Sequence, residues 1–168
     1  MPSQETVDKA RRDLSEGKKP STAAGEFVRE EMEHIREGRH GARNTKQAIA
    51  IGLSKARRAG VPLQPPEPGE APAGTRRSAA RELATGQGRR QPRTPSPRRK
   101  RAAMTALQRE PRKAASPKAL RRQAKSAAAR RGPVDRARAA KAAAVTKGAK
   151  GRSQAAKRAA ATRKRHRT

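Results

Sequence analysis

The side chains able to do chemistry in this chain are overwhelmingly cations. Residues 76–168 hold 31 Lys/Arg against three acidic residues, Glu82, Glu110 and Asp135, and 25 of these positions are alanine. A segment this basic repels itself until an anion neutralises it, so its natural partner is a polyanion. The densest cluster is Arg98-Arg99-Lys100-Arg101, behind Thr94-Pro95-Ser96-Pro97. A Ser-Pro pair followed by basic residues can turn compactly enough to enter a minor groove, where its charges meet phosphates. The same string would also serve as a plain linker, or as a nuclear-import signal in a eukaryotic host. Ser116-Pro117-Lys118 is a weaker copy, in which Ser116 can cap a helix that has Pro117 at its first position. Arg121, Arg122, Lys125, Arg131, Lys141, Lys147, Lys157, Arg163, Lys164 and Arg165 extend the phosphate-binding candidates to the end of the chain.

A second basic group lies earlier. Gly38-Arg39-His40-Gly41-Ala42-Arg43 brings Arg39 and Arg43 to the start of a helix, whose free N–H groups already favour anions. Lys46 follows one turn on, and Arg57 and Arg58 close the same helix. The loop reads either as a phosphate cradle or as a glycine-eased surface turn with solvated arginines.

Catalysis finds no comparable signal. Glu30, His34 and Glu37 fall on one helix face, which superficially suits a metal, but an intrahelical Glu30–His34 ion pair accounts for the spacing more simply. There is no phosphate-cradling glycine motif of nucleotide enzymes and no recognisable nucleophile context. With one Phe and no Trp or Tyr, base-stacking modes of single-strand and RNA recognition are disfavoured. The expectation is a protein that is not an enzyme, with no cofactor and no metal.

These cations need elements to position them, and composition divides the chain. Residues 1–63 carry 13 Lys/Arg and nine Asp/Glu, while residues 64–75 carry none of the basic residues and are dominated by Pro and Gly. The second stretch reads as an extended linker. Residues 76–168 offer only Leu83, Met104, Leu107, Leu120, Val134 and Val145 as large apolar side chains. Six such groups cannot offset the ordering of 93 residues, at about 1–2 kcal/mol each for the backbone alone. The fold expected is therefore all-α: a small N-terminal helical module over 1–63, a linker over 64–75, and a mostly disordered basic tail over 76–168 with conditional helices.

In the module, Ser3 can cap a first helix running to about Glu16, with Gly17 beyond it. A second helix runs from about Ser21 to Glu37, with Ala24, Phe27, Val28, Met32 and Ile35 forming one apolar stripe. A third starts at Asn44, where Gln47 suits a capping box, and ends at Gly60-Val61-Pro62. A hairpin of this size approaches the lower limit for autonomous folding, so dimerisation or help from the first helix is expected.

The tail contains a repeat of 16 residues. Ala124-Lys125, Ala140-Lys141 and Ala156-Lys157 share this spacing, as do Arg131, Lys147 and Arg163, and Gly132 and Gly148 punctuate the boundaries. Alanine and long basic side chains favour helix, whereas like charges three or four residues apart oppose it until something neutralises them.

The stretch Gly25–Val61, above all TKQAIAIGLSKARRAG over Thr45–Gly60, resembles a widespread family of small basic bacterial proteins that is functionally uncharacterised and sometimes labelled DNA-binding. The tail is similar in composition to those of linker histones and bacterial histone-like proteins. The resemblance implies no catalytic or ligand residues. Zero Cys and the absence of a long apolar run point to a reducing compartment, no membrane span and no secretory signal. Arg-over-Lys and Ala-rich usage suggests a GC-rich bacterial host. The expected function is sequence-nonspecific DNA binding through the phosphate backbone, with nucleoid association in the cytoplasm. The alternatives are an RNA- or ribosome-associated basic protein, and a protein-interaction adaptor whose tail localises it.

Overall fold

Helices begin where the sequence supplies caps. In the computed structural model, which describes residues 2–92 and 94–165, α1 (Gln4–Ser15) starts behind Ser3, whose hydroxyl accepts the Thr6 N–H. The helix α2 (Pro20–Arg36) opens on proline at its first position. The helix α3 (Thr45–Arg58) is entered through Asn44, whose Oδ1 accepts from Gln47 N at 2.9 Å. Gln47 Oε1 reaches back to the Arg43 N–H at 2.8 Å, one residue earlier than in the usual reciprocal box. Gly38, at φ 80°, supplies the left-handed residue between α2 and α3.

The contact between α2 and α3 is made close by small residues. Ala48, Gly52 and Ala56 are buried at four-residue spacing along α3. A Cβ on Gly52 would stand 2.7 Å from the Val28 Cα, so the two backbones nearly touch there. Two apolar clusters result. One gathers Ala10, Ala23, Ala24, Phe27, Ala56 and Val61. The other gathers Met32, Ile35, Ala42 and Ala48 with two alanines from far along the chain, Ala114 and Ala115.

That second cluster corrects the expected architecture. A short module with a mostly disordered tail is not what forms. Residues after 72 build α4 (Ala73–Gly86), α5 (Pro97–Gln108), a 3-10 turn (Arg112–Ala115), α6 (Pro117–Arg130) and α7 (Pro133–Arg165). The chain divides into two compact units, residues 1–123 and 124–168. The reason is that the segment up to residue 123 does not need a core of its own. Ala79 and Leu83 are buried on α4, which docks on α3, and Ser54 Oγ donates to Glu82 Oε1 across that contact at 2.5 Å. Ala114 and Ala115 lend methyls to the module's core while their carbonyls accept from Thr45 Oγ1 at 2.7 Å and Arg36 Nε at 3.0 Å. The Gly41 and Ala42 N–H groups donate to the carbonyls of Leu107 and Pro111. Buried backbone groups are thereby paired, which makes the docking affordable despite its small apolar area.

The second unit is helical for local reasons. Its residues are almost all exposed, so alanine propensity and end-capping must carry it. The 16-residue repeat reappears as a capping device. Arg136 Nη1 donates to the carbonyls of Ala128 and Arg131, at 3.4 and 3.0 Å, and Arg152 Nη1 donates to Ala144 O at 2.7 Å. Donors and acceptors both recur at a separation of 16, each arginine four residues past a glycine. Arginine near a helix C-terminus also meets the negative end of the dipole.

Gly148 interrupts α7 at φ 62°, ψ 175°, a region open essentially to glycine alone. Gly148→Ala is expected to replace the break with continuous helix, because the strained backbone would cost alanine about 1–3 kcal/mol while the helical state gains roughly 1 kcal/mol over glycine. Increased far-UV ellipticity at 222 nm and helical Cα shifts through this position would verify it.

Candidate nucleic-acid interface

The basic side chains do not form one surface, and the fold sorts them. Ser96 is the N-cap of α5, its hydroxyl accepting the Arg99 N–H, with Pro97 at the first helical position. Arg98, Arg99, Lys100 and Arg101 thus occupy the first turn of a helix rather than a groove-inserting turn. All four are exposed. Successive helical residues point about 100° apart, so the cations ring the helix start. Their charge opposes the positive end of the dipole there, a conflict that a bound anion would relieve. Ser116 caps α6 in the same way, accepting from Ala119 N.

Arg121, Arg122 and Lys125 are exposed on α6, Arg131 lies exposed between α6 and α7, and Lys141, Lys157, Arg163 and Arg165 are exposed on α7. The side chains of Lys147 and Lys164 lie outside the described residues. Asp135 is the single acidic residue after Ala124, and it stands 3.9 Å from Arg138 at the start of α7.

The earlier group behaves differently. Arg39 Nε pairs with Glu37 at 2.9 Å, and its Nη1 lies 3.2 Å from His34 Nε2. Arg43 lies 3.8 Å from Glu110, and Lys46 is exposed. In the intervening loop the N–H groups of Gly41, Ala42 and Arg43 are all taken by protein acceptors. Those three amides are therefore closed to a phosphate. Arg58 is exposed and turns back to its own helix at Ser54 O. Arg57 is buried, its guanidinium donating to the carbonyls of Leu63 and Gln64 at 3.1 and 3.3 Å. Burial holds its pKa below the ordinary arginine value, against the opposing pull of Glu82. Arg57 is a clasp for the chain that follows α3, not a phosphate ligand.

The acidic residues concentrate on α1 and α2. A groove between them is lined by Glu5, Glu26, Glu30, Glu33 and Glu37 together with Lys9, Arg29 and Arg39, which pair with Glu5, Glu26 and Glu37. The Glu30–His34–Glu37 pattern dissolves here. Glu30 accepts the Ser3 N–H at 2.6 Å and Glu37 turns to Arg39. Its neighbour Glu31 is fully buried instead, beside Lys55, His40 and His34. Helical spacing alone gave no sign of this, because Lys55 and His40 arrive from α3 and the preceding loop. Desolvation, with Lys55 and Arg39 nearby, lowers the pKa of His34 and favours its neutral ring.

No protein-family model, curated protein or solved structure matches the chain. Among the described residues, no helix is long and apolar enough to cross a membrane. The described residues are all-helical in fold, and their capped basic helices are exposed.

Proposed function

We propose that the protein is a non-enzymatic, largely sequence-nonspecific DNA-binding protein, histone-like in manner and associated with the nucleoid. The observation that carries this reading is the run of exposed Lys and Arg on α5, α6 and α7, where a single acidic residue follows Ala124. The intervening alanines have short side chains, so a phosphate can approach the helix barrel closely. The cations neutralise backbone phosphates and release counterions without reading base edges. The helices α1 to α4 then serve as a folded anchor for the basic helices.

RNA offers the same charges on another polyanion, but the chain has no Trp or Tyr and its single Phe, Phe27, is buried, so large exposed rings for base stacking are lacking among the described residues. Competition between a labelled duplex DNA and a structured RNA of equal length, at matched salt, tests the choice. Displacement by duplex DNA at lower concentration than by RNA is expected. Preferential displacement by RNA would reassign the partner.

A further inference from the structure

His40 and Glu31 face each other with nothing between them that neutral groups could supply. His40 Nδ1 stands 3.0 Å from the Gly41 carbonyl oxygen. A carbonyl only accepts, so this nitrogen carries the hydrogen. The other nitrogen, Nε2, is then a bare lone pair in the neutral ring, and it stands 3.3 Å from Glu31 Oε1. Glu31 is fully buried, and Oε1 has no hydrogen-bond partner. Its other oxygen accepts from Lys55 Nζ at 2.6 Å. Two acceptors in contact at a buried site repel unless a proton or a metal cation lies between them.

A third donor is at hand once the Arg39 guanidinium, 3.2 Å from His34 Nε2, swings away. His34 stands one turn after Glu31 on α2, and its ring meets that of His40 edge to face with centroids 6.4 Å apart. One ligand atom from each of Glu31, His34 and His40 lies within 4.8 Å of the others. We propose that Glu31, His34 and His40 form a divalent transition-metal site, of the two-imidazole, one-carboxylate kind that suits zinc. Bonds of about 2.0–2.2 Å would require donor atoms closer than this, so the site closes by modest side-chain rotation. The hydrogen bond from His40 Nδ1 to a backbone carbonyl is the outer contact that usually fixes the tautomer of a ligating imidazole. Two nitrogens and one carboxylate oxygen, without thiolate, favour zinc, copper or nickel over calcium or magnesium. The His40 side chain is nearly buried, at 10% exposure, while His34 is partly exposed and is the side from which water could enter as a fourth ligand.

The role is structural. Glu31 and His34 belong to α2, whereas His40 sits in the loop that holds Leu107 and Pro111 through Gly41 and Ala42. A metal would pin that loop to α2 and so tie the later chain to the first helices.

The test uses the full chain, stripped with chelator and titrated with cobalt(II) and then zinc(II) at neutral pH. One equivalent of cobalt is expected to give visible d–d absorption that zinc displaces, and zinc is expected to raise the melting temperature by several degrees. Glu31→Gln and the milder His34→Gln should each weaken cobalt binding at least tenfold, and His166→Ala should not. If a variant loses its fold, nitrogen shifts of His40 in the unmodified protein still decide the matter. Zinc should move the Nε2 resonance. The proposal is overturned if cobalt gives no absorption and zinc no shift in melting. Unaltered binding in His34→Gln, or a His40 ring doubly protonated and indifferent to zinc, overturns it equally.

Discussion

Between 50 and 200 mM salt, the full-length protein is expected to lose affinity for duplex DNA by about 10⁴-fold, with a log–log slope near roughly −7 if 8 phosphates are neutralised. Ending the chain at Gln123 should make that slope markedly shallower. The truncation removes 15 of the 44 Lys/Arg and one acidic residue, and it falls at the boundary between the two compact units. Residues 2–123 keep both apolar clusters, so the lost affinity would not reflect unfolding. They also keep Arg98–Arg101, Arg121 and Arg122, so some salt dependence should persist. Fluorescence anisotropy on a duplex of random sequence measures both slopes. A slope near zero for the full chain would sink the DNA-binding reading, and an unchanged slope after truncation would move the contact surface to α5 and the start of α6.

The repeat gives a geometric reason to expect this from the second unit. At about 100° per residue, 16 residues turn a helix through four full turns and a remainder of roughly 160°. An unbroken helix would thus throw successive Ala-Lys units to nearly opposite sides. Breaks at Gly132 and Gly148 uncouple them, and Arg136 and Arg152 satisfy the carbonyls that the breaks expose. Arg136 and Arg152 are thereby engaged in capping, while Arg158 is engaged with Gln154 O and Arg138 with Asp135, which leaves fewer cations to meet phosphate.

Local signals in the sequence were readable, and contacts between distant segments were not. Ser3, Asn44 with Gln47, and the glycines at 17, 38 and 60 mark helix ends through hydrogen bonds spanning a few residues. Docking of the later chain escaped notice because its signal is two alanines. Ala114 and Ala115 add only methyl groups, and their real contribution lies in the carbonyls that Thr45 and Arg36 reach. Arg57 reads from the sequence as one more basic residue at the end of α3, because nothing local reveals that the chain after Gly60 returns across it. Glu31 was passed over for Glu30 because spacing along α2 cannot show which carboxylate meets Lys55 on α3.

Phe27→Ala is expected to be the most damaging single substitution to stability, at about 3–5 kcal/mol. Phe27 is fully buried and is the one large side chain among the buried members of its cluster, against which Val7, Leu14, Leu53 and Leu63 pack from partly buried positions. Ala23, Ala24 and Ala56 in the same cluster cannot reach inward to fill the space, so any collapse of the cavity must come from Leu14, Leu53 or Leu63 at its edge. Small domains hold about 5–15 kcal/mol in total, and the few large apolar groups here argue for the low end. The melting transition of residues 2–123 should therefore fall steeply or disappear. Residues 124–165 supply no side chain to either apolar cluster, so their helicity should survive the change. Backbone amide spectra of the full chain would separate these responses, with loss of dispersion confined to the first unit. Equal collapse of both units would mean that the basic helices depend on the core, contrary to the local stabilisation argued from their alanines and arginine caps.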